Sequence, residues 1–438
     1  MATYLITDYG AVSGGALCTK AIQQAIDACF LAGGGVVEVP AGDFHTGGLR
    51  LRSRVTLHLA AGARLCGSRD PEDYTGYIED AVEPLEADIA RLAKAVEEGD
   101  PYIFNYACSR WRNGLIRAIH AEDIAIIGEK GAVIDGRNCY DPQGEEGFRG
   151  PHAISLHDCA RVTLQGYTVQ HSANWAHAIF DSRDLTVEGI AVYGGHDGVH
   201  LRSCDGVTVR DCRFYTGDDC VAGFDNRDVT VAGCELNTAC SGFRFGGTHV
   251  RIRDCHLFGP ARYLHRFSLT EEEKVQETAM AEGEGHRYNM LSAFTYFADN
   301  TRPVREQPGD IRLECCVIEN TDRLLHYNFS GNETYQQNRP LEDIVFNCVR
   351  ASGIRLPLTL YGQEDVPVVC QIQQSTISME PGVPFMQAAY FKRIELQDTA
   401  IHHDPAQPLI RIWTEGDILC EGEVAVERTS EPFFATPI

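Results

Sequence analysis

Arg161-Val162-Thr163-Leu164, Asp184-Leu185-Thr186-Val187, Gly206-Val207-Thr208-Val209, Asp228-Val229-Thr230-Val231 and His249-Val250-Arg251-Ile252 follow one short alternating pattern. Their starts are 23, 22, 22 and 21 residues apart. Each is followed by a second short apolar stretch and a turn. Repeats of about 20–29 residues are units of a solenoid, each able to bury its apolar face only against its neighbours. Leucine-rich repeats and parallel β-helices both fit this length. No LxxLxLxxN frame recurs, the strands are rich in Val, Ile and Thr, and little helix fits inside one repeat. The pattern therefore predicts an all-β chain wound as a right-handed parallel β-helix.

Cys212, Cys234 and Cys255 recur with the same period, and Cys315 or Cys316 falls in a similar frame. A stacked column of small buried side chains explains this spacing better than a metal site does. An open solenoid end needs a cover. Ile22, Ala25, Ile26 and Cys29 mark one face of a helix over Thr19–Leu31, ended by Gly33-Gly34-Gly35, and this helix is the expected cap. Strands are expected at Val36–Val39, Leu49–Leu51 and Val55–Leu59. Residues 81–98 and Thr270–Glu284 look helical and are expected to project from the coils as insertions. A single domain over 1–438 follows, with a cap at 1–35, main coils at 36–356 interrupted near 70–115 and 260–300, and C-terminal coils or a tail at 357–438.

The chain carries 38 Lys and Arg against 62 Asp and Glu, a formal charge of −24. Such acidity disfavours nucleic-acid binding, where phosphate neutralisation dominates affinity. No apolar run is long enough to span a membrane. The 17 cysteines show no paired metal-ligand spacing, so no metal or cofactor is expected. With no secretory leader in view, reduced thiols in a cytoplasmic protein are the expectation.

Laid out on the 22-residue period, Asp197 stacks on Asp219, with Ser241 following. The neighbouring column holds His196, Asp218 and Cys240, and Asn174 and Trp175 precede both columns by one coil. Coils of a parallel sheet lie about 4.8 Å apart. Gly217-Asp218-Asp219 alone would read as a turn. A third carboxylate and a tryptophan stacked beside it point to a site instead. Crowded carboxylates cannot all ionise freely, so at least one should hold its proton to higher pH, as glycosidic hydrolysis requires. The candidate catalytic residues are Asp197, Asp218, Asp219 and His196, the last expected to stand beside Asp218 and tune its protonation. The candidate substrate-binding residues are Trp175, Asn174, His177, Arg244, Cys240 and His200. Arg244 stacks over Ala222 and His200 and can offer a charged fork. His171, His177, His249 and His265 could also be ligands or acids, but scattered histidines without HxH or HExxH spacing are more often structural or exposed. Arg262 and Tyr263 would lie on the next coil if the period held. Tyr288, Phe294, Tyr296 and Phe297 are core candidates that could also wall a cleft.

At these residues the sequence resembles the polygalacturonase family, glycoside hydrolase family 28. The resemblance runs from Ile6-Thr7-Asp8-Tyr9-Gly10-Ala11 through Ile134-Asp135-Gly136, Arg149-Gly150-Pro151 and Ser172-Ala173-Asn174-Trp175-Ala176-His177 to about Gly259. The family's Asn-Thr-Asp corresponds to Gly195-His196-Asp197, and its Gly-Asp-Asp to Gly217-Asp218-Asp219. The resemblance implies an inverting hydrolase with Asp218 as general acid and Asp197 with Asp219 activating water. The family's Gly-His-Gly corresponds to Ala239-Cys240-Ser241, so its histidine is missing. Its Arg-Ile-Lys, which grips a substrate carboxylate, has no counterpart.

The expected activity is that of an exo-acting glycosidase on plant- or polysaccharide-derived oligosaccharides, with uronate or pectin-type sugars favoured. A lyase or epimerase on the same scaffold, and a carbohydrate-binding β-helix without catalysis, remain alternatives. The expected partner is an oligosaccharide; the oligomeric state is open.

Overall fold

In a computed structural model of the chain, the structure describes residues 2–78, 112–265, 289–298, 304–329, 339–422 and 424–430. The strands pair in parallel, coil on coil, in the register that the repeat implies. Val162 pairs with Leu185, Leu185 with Val207, Val207 with Val229 and Val229 with Val250. A second sheet, of 12 strands, stacks Val169, Val192, Phe214, Leu236, Leu257 and Ile318 in one row. The protein is a parallel β-helix, and one continuous core of buried side chains runs from Ile6 to Ile412.

The corners explain the Gly and Asp in the repeat. Gly166, Gly189, Asp211, Gly233 and Asp254 each occupy the left-handed region, with φ between 54° and 77°. Glycine adopts that conformation freely, and a short polar side chain tolerates it better than a branched one. Cys315 and Cys348 continue this corner and are exposed. The buried cysteine column is therefore Cys212, Cys234, Cys255 and Cys316, all free thiols, each donating to the carbonyl two residues before it.

The cap helix spans Thr19–Leu31 as expected and buries Ile22, Ala25, Ile26 and Cys29. Gln23 ties it to the first coil by accepting from Arg50 N–H at 2.8 Å and donating to the Arg50 carbonyl at 3.0 Å. The expected helices over 81–98 and Thr270–Glu284 lie outside the described residues. No helix among the described residues is long and apolar enough to cross a membrane.

The period does not carry Arg262 and Tyr263 onto the next coil. After the strand His256–Phe258 the chain leaves the stack, and the strand Ser241–Arg253 pairs instead with Met290–Tyr296. Residues 259–265 form a strap over the preceding coils. Phe214, fully buried, supports the turn that carries Asp197, because a side chain on Gly198 would run into its ring. Phe214→Ala is expected to cost about 3–5 kcal/mol, read as a lowered melting temperature.

Candidate active site

Asp197, Asp218 and Asp219 sit on turns of two adjacent coils, and all three are buried. Each turn is laced to the next through a carboxylate. Asp219 N–H donates to Asp197 Oδ1 at 3.2 Å, and Ser241 N–H donates to Asp219 Oδ1 at 2.9 Å. The Thr216 hydroxyl donates to the Asp218 carbonyl at 2.7 Å, and the Thr238 hydroxyl donates to the same oxygen. The three carboxylates each present an oxygen within 4.8 Å of the others. The stacked columns read from the sequence thus converge on one spot.

Burial, and then the charge of Asp218, push the Asp219 carboxyl up, while Arg244, the Ser241 amide and the Cys240 thiol oppose the shift. Like charges this close share a proton, which belongs to the Asp218–Asp219 pair as a unit. Asp197 is held differently. His200 lies 2.9 Å from its Oδ2 through Nδ1. Burial, with Arg202, His152 and Arg244 nearby, holds His200 well below its ordinary value. A neutral imidazole then donates Nδ1–H and fixes the orientation of Asp197.

Trp175 is placed as expected, one coil from Asp197, but it is only 7% exposed. His200 covers one face of its indole, with centroids 3.6 Å apart and planes 5° off parallel. Trp175 therefore braces His200 rather than offering that face to a sugar. The Asn174 side-chain oxygen accepts from Arg149 at 3.1 Å and from Trp175 N–H at 3.0 Å. This is a turn-holding role, and Arg149, quoted above only as part of the resemblance, is the partner. Cys240 lies beside Asp218. Arg244 is half-buried over the Phe297 ring at 4.5 Å. Phe294 and Tyr296 are core residues, and Tyr288 lies outside the described residues.

His177 is a correction. It shares a row with Val199, Val221 and Phe243, so its ring points into the coil. Its nitrogens meet Tyr167 Oη at 3.0 Å and the Gly198 carbonyl at 2.9 Å. Burial holds its pKa down to about 4, against the raising effect of Gly198. It cannot touch a sugar. His171 meets the buried carboxylate of Asp135, and His249 meets the exposed carboxylate of Asp228.

His265 sets an imidazole against Asp218, with Nε2 3.4 Å from Oδ1. His196, expected in this role, lies in the same column and is stacked near Phe148, with centroids 6.5 Å apart. The strap 259–265 delivers His265. Asn237 donates to the Phe258 and Pro260 carbonyls and accepts from Arg262 N–H, each at 2.8 Å. The Arg262 guanidinium lies over the rings of Tyr193, Tyr215 and Tyr263 at 5.8 Å each. A Cβ on Gly217 would overlap the Leu264 carbonyl oxygen, so the strap presses directly on the catalytic turn. Gly217→Ala is expected to lift the strap and lower turnover about 10²-fold, the usual penalty for a displacement near 1 Å. An unchanged rate with a lowered melting temperature would show that the strap does not matter to the chemistry.

The model for Glycosyl hydrolases family 28 matches residues 103–243, a stretch that holds all three carboxylates and stops before the strap. A probable polygalacturonase of Vitis vinifera is 29% identical over 231 residues, covering 50% of this chain and 43% of that protein. An exo-poly-alpha-D-galacturonosidase of Dickeya chrysanthemi is 29% identical over 248 residues, covering 49% of this chain and 41% of that protein. The chain thus spans less than half the length of either relative. The fold is similar to that of a hyperthermoactive exopolygalacturonase from Thermotoga maritima, with a TM-score of 0.61, 16% identity and 92% of each chain covered. Over residues 103–243 the chain is similar to glycosyl hydrolases family 28, and the two relatives carry that similarity at 29% identity.

Proposed function

We propose that the protein is a glycosidase that cleaves pectin-type oligosaccharides, acting from a chain end with inversion. The observation that carries this reading is the laced triad of Asp197, Asp218 and Asp219, where burial and the neighbouring charge push the Asp219 carboxyl up and so favour a proton on the Asp218–Asp219 pair. Asp218 gives that proton to the glycosidic oxygen as the bond breaks. Asp197, oriented by His200, and Asp219 take a proton from the water that attacks the anomeric carbon. The exo mode is supported by the name of the Dickeya relative. Inversion is supported by the resemblance alone, because the oxygens lie closer than the roughly 6.5–9.5 Å common for inverting carboxyl pairs. Abundant free thiols, most of them buried, support a reducing, cytoplasmic compartment.

Purified protein incubated with a panel of uronate, rhamnose, arabinose and neutral oligosaccharides, read by mass spectrometry, tests the activity. Proton NMR of the first product tests the stereochemistry. Release of single sugars as one anomer is the expected result. An unsaturated uronate product, or binding without turnover, would overturn the hydrolase reading.

A further inference from the structure

We propose that Asp218, Cys240 and His265 form a binding site for a zinc-type divalent cation, and that its occupancy switches the enzyme off. The three donors come from different places in the chain. Asp218 lies on one turn, Cys240 on the turn of the next coil, and His265 at the end of the strap. A carboxylate oxygen, the thiol sulfur and an imidazole nitrogen all lie within 4.8 Å of one another. Bond lengths of about 2.0–2.3 Å put the edges of a tetrahedral zinc site near 3.3–3.8 Å. Metal binding would have to draw the donors together by about 1 Å. Zinc takes this mixture of sulfur, nitrogen and oxygen donors, whereas calcium and magnesium favour oxygen alone. Three protein ligands leave a fourth position for water or a sugar hydroxyl.

The chemistry of the switch rests on the proposed hydrolytic reading. A carboxylate bound to a metal ion holds no proton for the glycosidic oxygen, so the occupied protein lacks its acid. Chelation releases Asp218 and restores it.

The test uses the full chain with Cys315 and Cys348 replaced by serine, which removes the two exposed thiols among the described residues. After chelation and dialysis, zinc binding is measured by equilibrium dialysis and by the rise in melting temperature that a native-state ligand produces. One zinc per chain is expected, with affinity at least about tenfold weaker in C240S and in H265A. Cobalt in place of zinc is expected to give a thiolate charge-transfer band that C240S abolishes. Undiminished zinc binding in folded C240S and H265A, or a cobalt band surviving in C240S, would overturn the site. Zinc bound at full occupancy with turnover unchanged would overturn the switch. Zinc bound through these residues by a protein that hydrolyses nothing on the panel would support the site and sink the hydrolase reading.

Discussion

Asp218→Asn and Asp219→Asn are each expected to lower the hydrolytic rate by about 10²–10⁴-fold, the usual weight of general acid–base assistance. Asp197→Asn belongs with them, because its carboxylate both receives His200 and laces to the Asp219 amide. Product release from the cleaved oligosaccharide is the measure, and near wild-type turnover in both Asp218→Asn and Asp219→Asn would end the hydrolase reading. Asp219→Asn carries a second, opposite effect. Its carboxyl is pushed above the ordinary value, first by burial and then by Asp218. A group whose folded pKa is raised contributes stability that is present below the unfolded pKa and lost as pH rises through the folded pKa. The wild-type protein loses it as pH climbs from the ordinary carboxylate range through the raised value. Asparagine keeps an acceptor for the Ser241 amide and faces Asp218 without charge. The variant is therefore expected to melt higher than wild type at pH 7, with the gap shrinking as pH falls toward about 4. An inactive variant that melts lower at pH 7 would mean that the pair is not strained by its charge.

The coils were legible because a solenoid repeats one local problem. The same strand must present Val, Ile or Leu inward every 21–23 residues, and the corner must accept a left-handed residue. Counting along the chain therefore placed Asp197 on Asp219 and His196 on Asp218 before any coordinates. The same count held the answer for His177. It falls in the row of Val199 and Val221, an inward row, and its place beside Trp175 misled the reading toward the cleft. His265 was not legible. The period ends at Phe258, and where a strap returns depends on tertiary contacts such as Asn237 with Pro260 and Leu264 against Gly217. Two signals pointed that way. Cys240 stands where the family carries histidine, leaving an imidazole unaccounted for. Arg262 and Tyr263, just before His265, are residue types that can stack on the tyrosines of the coil below.

His265→Ala is expected to lower turnover by about 10²-fold and to move the alkaline limb of the pH–rate profile upward. The sign follows from the contact. A protonated imidazole with its Nε2 3.4 Å from Asp218 Oδ1 favours the carboxylate over the acid. Removing the donor raises the pH at which the carboxyl gives up its proton, so the acid form persists further into alkaline solution. The rate falls nonetheless, because Asp218 loses the partner that steadies its anion after the proton has been given. A role confined to holding the strap would lower the rate without shifting the limb. His265→Gln separates charge from hydrogen bonding, since glutamine can donate from a similar position but never carries charge. Rescue of both rate and profile by glutamine would assign the effect to the hydrogen bond. A shifted limb in glutamine as well as alanine would assign it to the imidazolium charge. An unshifted limb in both would leave Asp218 tuned by its neighbouring carboxylates alone.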